Sequence, residues 1–265
     1  MRKTAGLEYE EHGRGEPVLL IHGAIVTDAM LPLAREAALA ERHRVIRYRR
    51  RAHGASDPLD GPFTLAGQAG DAVALLDELG VARAHVVGHS GGGAIATQLA
   101  IQAPERVHTL SVLEPAIIPP EILAAFPQMS APVADAYRAG DTQGALDAWM
   151  NLVSCGPNWR AEATIHVPDA LEQLDHDAKT FFELEFPTLS EWLFEADACG
   201  RIRQPVLLVT GGASGPMVEA LRQHFLGLVP AAESVVLPGV NHLMQMQDPK
   251  GVAKAVAAFL SQHPM

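Results

Sequence analysis

Apolar residues fall along this chain in two alternating rhythms. Short runs rich in β-branched and aliphatic residues occupy 18–21, 45–48, 84–87, 107–113, 205–210 and 234–237. Between most of them lie stretches whose apolar positions recur at helical spacing, at 31–40, 65–79, 92–103, 218–229 and 249–261. A short, mostly apolar run suits a strand buried on both faces, and strands alternating with helices imply crossover connections and a parallel sheet. The punctuation agrees with these elements. Leu65, Val73, Leu76 and Leu79 precede Gly80, a helix stop; the 92–103 pattern halts at Pro104; Pro249 opens the last helix in its first turn. The expected fold class is α/β, a mostly parallel central sheet with helices on both faces.

The rhythm breaks between about 115 and 203. This interval carries all three tryptophans (149, 159 and 192) and helix-like pieces at 141–153 and 170–183, then returns directly to a strand. The pattern predicts a helical cap or lid inserted into one α/β unit, with 1–114 and 204–265 as the two parts of the core and 115–203 as the insertion.

Composition narrows the function classes. The 265 residues are 48% hydrophobic and 19% charged, an ordinary globular balance, and the net charge of −11 argues against a nucleic-acid partner. Arg47, Arg49, Arg50 and Arg51 form one basic cluster, expected to be solvated or paired internally rather than to bind anions. Cys155 and Cys199 are too few for a disulfide framework and are expected to be free thiols. The first residues contain charge without an apolar leader core, and no run of apolar residues is long enough to span a bilayer. A cytoplasmic protein with no membrane partner is expected. His166, Asp169, Glu172, His176 and Asp177 superficially suggest a metal site, but their irregular spacing fits a solvated helix face better.

The candidate chemistry starts at 86–96, VVGHSGGGAIA, where a strand runs into a turn holding one serine among glycines. Gly88-His89-Ser90-Gly91-Gly92 matches the Gly-x-Ser-x-Gly nucleophile elbow, with the strand before and helix after that the motif requires. The sharp turn strains the serine backbone, so positions two residues away must lack bulk for strand and helix to approach. Such a hydroxyl needs a base. Among twelve histidines, His242 is set apart by its place on a loop after the last strand, at the carboxyl edge of a parallel sheet, where the elbow also opens. His85 lies within a strand, and His89 sits inside the elbow.

With these motifs the chain resembles the α/β-hydrolase superfamily over nearly its whole length outside the insertion, and that resemblance implies a serine hydrolase of esterase or lactonase type. LLIHGAIV resembles the family's strand followed by His-Gly, and RYRRRAHGASD its Arg-Gly-His-Gly-x-Ser loop, with Ala52 replacing a glycine. The resemblance assigns the oxyanion-hole amides to Ala24 and Gly91 and gives His22 a structural role. It also exposes a departure: in LLVTGGASGPMVE, Ser214 stands where the family usually carries the triad aspartate, and the next acid is Glu219. Glu114, at the end of the 107–113 strand and followed by Pro115, borders the same crevice, and some subgroups carry their acid there. The expected triad is therefore Ser90, Glu114 and His242.

The insertion and the loops facing it supply a candidate pocket of Ile25, His89, Ile117, Ile118, Phe126, Trp149, Leu152 and Leu243, with Leu123, Met129 and Met150 nearby. Few charges converge there, which favours an uncharged, moderately hydrophobic ester or lactone as the small-molecule substrate. A haloperoxidase or perhydrolase without cofactor, a hydrolase of carbon–carbon or thioester bonds, and a low-turnover ligand receptor are alternatives on the same constellation. No metal or organic cofactor is implied, because HExxH, Cys-x-x-Cys and a strand-linked Gly-x-Gly-x-x-Gly are all missing. Oligomeric state is left open, with a homodimer among the options.

Overall fold

The computed structural model describes residues 1–172 and 174–265. Eight strands form one sheet: β1 (Arg2–Thr4), β2 (Leu7–His12), β3 (Glu16–Ile21), β4 (His43–Tyr48), β5 (Ala84–His89), β6 (Val107–Leu113), β7 (Val206–Gly211) and β8 (Glu233–Leu237), in the order β1-β2-β4-β3-β5-β6-β7-β8. From β4 to β8 every pairing is parallel, while β1 and β2 add an antiparallel ribbon along β4. That ribbon was not foreseen. Its second strand reads Leu-Glu-Tyr-Glu-Glu-His, so only Leu7 and Tyr9 turn inward and the apolar signal is thin.

Each central strand feeds both faces. In β3, Leu19 and Ile21 join one apolar cluster while Val18 and Leu20 join the other, as the twofold side-chain period of a strand requires. The first cluster includes residues of α3 (Leu65–Glu78), α4 (Gly91–Gln102) and the insertion; α1 (Leu31–Arg35), α2 (Ala37–Ala40) and α13 (Pro249–Gln262) bury theirs in the second. Burying one such Leu or Ile side chain contributes roughly 1.5–3 kcal/mol. The helix expected over 31–40 is in fact these two short ones, because Glu36 takes an extended conformation (φ −65°, ψ 129°). Caps fix the longer helices: the Thr64 side chain accepts from the Gly67 amide, and Asp248 accepts from Gly251 ahead of Pro249.

Between β6 and β7 the chain forms α5 (Pro120–Met129), α6 (Ala131–Arg138), α7 (Thr142–Leu152), α8 (Trp159–His166), α9 (Leu174–Thr180), a π-type turn (Phe181–Glu185), a 3₁₀ stretch (Phe186–Glu191) and α10 (Ala196–Cys199). The helix expected over 170–183 includes residue 173, which lies outside the described residues. His166, Asp169, Glu172 and His176 are exposed, as a solvated face requires, but Asp177 turns inward and accepts from the Thr27 hydroxyl. Burial pushes its carboxyl up to about 7.

The arginine cluster points inward and is paired: Arg47 with Glu10 and Asp28, Arg49 with Glu8 and Asp28, Arg50 with Glu185, Arg51 with Asp71. Cys155 and Cys199 are buried free thiols. Among the described residues no helix is long and apolar enough to cross a membrane. After β7 the chain continues through α11 (Gly215–Leu228), β8 and the short α12 (Met244–Gln247) into α13.

Candidate active site

Ser90 sits between β5 and α4 at φ 53°, ψ −121°, a conformation rare for any residue with a side chain. The backbone around it is locked. The Ser90 amide donates to Leu113 O (3.0 Å), and the Ser90 carbonyl accepts from Ala116 (2.9 Å) and Gly93 (2.9 Å). A Cβ on Gly88 would meet Gly92 O at 2.3 Å, and one on Gly92 would meet Ile21 O at 2.3 Å, so strand and helix approach this closely only because both residues are glycine. Gly91 is different: a Cβ there would touch the Trp192 ring at 3.5 Å, an ordinary contact.

Glu114 follows β6 directly, one strand over from the elbow. Leu113 pairs with His89 on one side and with Val209 on the other, so Glu114 emerges between β5 and β7 at their carboxyl edge. It too has positive φ (42°), held by the bond from its amide to Val209 O (3.0 Å). Its buried carboxylate is fully engaged. Oε1 accepts from the Gly211 amide and the Ser214 hydroxyl, both at 2.6 Å, and Oε2 accepts from His242 Nδ1 at 2.6 Å. The serine at the position where an aspartate is usual therefore does not orient the imidazole; it secures the carboxylate that does. Because Nδ1 keeps its proton and donates it in this bond to the carboxylate, Nε2 of His242 is left as an acceptor.

The His242 loop is fastened on both sides. Asn241 Nδ2 donates to Cys155 O (3.0 Å), and the Leu243 amide donates to Asn241 Oδ1 (2.9 Å). His89 Nε2 donates to the His242 carbonyl (2.8 Å), while Gln245 Nε2 donates to His89 Nδ1 (3.2 Å). Burial and the neighbouring His242 hold the His89 pKa well below the usual range, so it stays neutral and keeps these roles. Among the described residues no hydrogen bond joins the Ser90 hydroxyl to the His242 ring; in serine hydrolases that contact often tightens only in the Michaelis complex.

Ser90, His242 and Glu114 line one cavity together with Ala24 and Gly91. The amides of Ala24 and Gly91 have no acceptor among the described residues. The remaining wall is mostly apolar: Ile118, Phe126, Met129, Trp149, Leu152, Phe181 and Trp192 from the insertion, and Leu208, Met217 and Leu221 from the β7–α11 side.

Four residues expected in this lining lie outside it. Ile25 and Ile117 are consumed by the core, His89 by the bond to the His242 carbonyl, and Leu243 by packing behind the histidine loop. Of the further candidates, Met129 reaches the cavity, whereas Leu123 and Met150 pack within the fold. Sequence reasoning also missed two residues of the cavity wall: Thr210, whose buried hydroxyl has no hydrogen-bond partner among the described residues, and Glu185, a buried carboxylate. Neither stands in a motif. Ser214 did, as the outlier in the stretch where an acid was expected.

Residues 18–255 match the model of the alpha/beta hydrolase family. The chain belongs to the alpha/beta hydrolase family. Within it, the chain is similar to the 3-oxoadipate enol-lactonase 2 of Acinetobacter baylyi, 26% identical over 98% of this chain and 95% of that one. It is also similar to a putative carbamate hydrolase, RutD, of Azorhizobium caulinodans, 42% identical over 109 residues, a stretch covering 41% of each protein. Among solved structures, one described as Est816, an N-acyl homoserine lactone degrading enzyme, superposes with a TM-score of 0.74 at 25% identity and 96% coverage of both chains. A thermophilic esterase from Thermogutta terrifontis superposes at 0.76 with 24% identity, covering 97% of this chain and 94% of that one, a likeness of fold alone. The chain spans about two fifths of the length of that carbamate hydrolase relative, and its relatives by sequence are named as an enol-lactonase and a putative carbamate hydrolase.

Proposed function

We propose that this alpha/beta hydrolase is a serine hydrolase that cleaves an uncharged, moderately hydrophobic carboxylic ester or lactone through an acyl-enzyme. The observation that carries this reading is the 2.6 Å bond from His242 Nδ1 to Glu114, which leaves Nε2 as a base on a residue that lines the same cavity as a serine held on a strained turn. Ser90 attacks the carbonyl carbon as its proton passes to His242 Nε2. The oxyanion is received by the Ala24 and Gly91 amides, which no acceptor among the described residues occupies. His242 then protonates the leaving oxygen, the ester C–O bond breaks, and a water activated by the same imidazole hydrolyses the acyl-serine. Glu114, bonded to the Nδ1 edge of the ring, orients the imidazole and stabilises the imidazolium.

The insertion over 115–203 acts as the cap, since it supplies most of the aromatic wall above Ser90. A cavity with so few free polar atoms favours an apolar acyl or ring portion. The lactone option gains from the names of two similar proteins, an enol-lactonase and an enzyme degrading N-acyl homoserine lactones. The test is a panel of p-nitrophenyl esters and lactones assayed with the parent and Ser90→Ala. Hydrolysis that falls by roughly 10⁴–10⁶ in the variant supports the reading. Turnover that persists in Ser90→Ala, or a parent that turns over none of the panel, contradicts it.

A further inference from the structure

The Ala24 amide assigned above to the oxyanion hole shares a planar, trans peptide unit with the Gly23 carbonyl, so whatever holds that carbonyl also aims the N–H on the opposite edge. Two donors hold it. His22 Nδ1 donates at 2.7 Å, and Arg50 Nη2 donates at 3.0 Å. The His22 ring is itself fixed, because its Nε2 accepts from the Arg50 amide (3.0 Å), and burial together with the Arg50 charge keeps it neutral.

Arg50 Nη2 also meets both oxygens of Glu185, at 2.9 and 3.1 Å, and both side chains are fully buried. Glu185 ends the π-type turn of the insertion and lines the cavity. The pairing is an odd one for a device serving stability alone. Arginine's strength lies in presenting two nitrogens to a carboxylate, yet among the described residues Nε and Nη1 are buried without a hydrogen-bond partner and one nitrogen serves both Gly23 and Glu185. The arrangement favours the placement of the guanidinium over its own satisfaction.

We infer that Arg50 and Glu185 are a positioning pair: the carboxylate from the insertion holds the guanidinium on the Gly23 carbonyl, which fixes and polarises the 23–24 peptide so that its N–H is ready for the oxyanion. The inference rests on the serine-hydrolase reading. Such a pair acts on the transition state more than on substrate binding, so it governs kcat rather than KM.

The test is the double variant Arg50→Met/Glu185→Leu, which removes both charges and leaves neither buried alone; replacements of this kind are commonly tolerated by the fold. The expected result is a melting temperature close to the parent, kcat for p-nitrophenyl butyrate down roughly 10- to 100-fold, and KM within about twofold. Affinity for phenylboronic acid, which forms a tetrahedral adduct on the serine, is expected to fall by the same factor as kcat. Arg50→Lys, which keeps a cationic donor, is expected to recover part of the loss. Should the double variant not fold, Glu185→Gln preserves shape and is expected to lower kcat and boronate affinity together by roughly 3- to 10-fold. A folded variant with parental kcat and boronate affinity would overturn the inference. Parent and Ser90→Ala are assayed alongside: serine-dependent parental turnover with an unaffected double variant removes only the Arg50–Glu185 role, whereas a parent without serine-dependent turnover removes both readings.

Discussion

On the sheet side of the cavity, Ser90 and Glu114 follow directly on β5 and β6 and the Gly211 amide belongs to the last residue of β7, so pairing register determines where all three emerge. On the insertion side, Phe126, Trp149, Phe181 and Trp192 are placed by ring contacts with one another and with neighbours. Trp149 lies 4.7 Å from Phe181 and 6.3 Å from Phe126, and Trp192 stacks on Phe63 at 5.6 Å, measured between centroids. Backbone hydrogen bonds at the sheet edge tolerate almost no displacement. Aromatic packing can be rebuilt around a different shape while the chemistry beneath it stays in place. Under the function proposed above, bond cleavage belongs to the sheet edge and choice of substrate to the insertion.

The largest effect should come from crowding the sheet edge. Gly92→Ala places a Cβ on the Ile21 carbonyl and is expected to abolish the native elbow, with little folded protein and no turnover, whereas Gly91→Ala meets only the Trp192 ring and should fold. Equal thermal melts for the two variants would contradict the geometry of the turn. Next is Trp149→Ala on the opposite wall, expected to lower stability by about 3–5 kcal/mol and to shift preference toward bulkier acyl groups, with the Ser90-dependent step intact. A uniform loss of kcat for all substrates, with no change in preference, would blur the division between the two sides. Ser214→Ala removes one of two bonds to Glu114 Oε1 and should lower kcat by about tenfold, in line with about 1.5 kcal/mol for a bond to a charged group.

The smallest effect concerns how the insertion is fastened. Asp177 binds more protons folded, with a pKa near 7, than unfolded, near 3.8, so its contribution to stability falls as pH rises from about 4 to 7. Asp177→Asn removes that titration. Its melting temperature is expected to exceed the parent's by a few degrees at pH 8, with the difference closing toward pH 4. A gap that widened on acidification would reverse the sign.

Much of this was legible in the sequence for reasons that differ by region. The parallel core wrote itself as short, mostly apolar runs because its strands are buried on both faces, and the elbow as glycines because the backbones nearly touch. Glu114 was legible only as an acid at a strand end, since its bonds to Ser214 and His242 join residues 100 and 128 positions apart. The β1–β2 ribbon was hidden by its charged outer face, and the break at Glu36 by an apolar pattern that continues across it. The cavity wall was half legible: apolar residues fill cores and line pockets alike, and only packing separated Ile118 from Ile117. Glu185 lay beyond reach, because its partner Arg50 is 135 positions away in sequence.

The central claim is that the carboxylate governing His242 comes from the end of β6. Its most direct test is kcat of Glu114→Gln on p-nitrophenyl butyrate, measured beside a thermal melt. The account predicts a fall of roughly 10³–10⁴ with the fold retained; a folded variant turning over within a few-fold of the parent would contradict it.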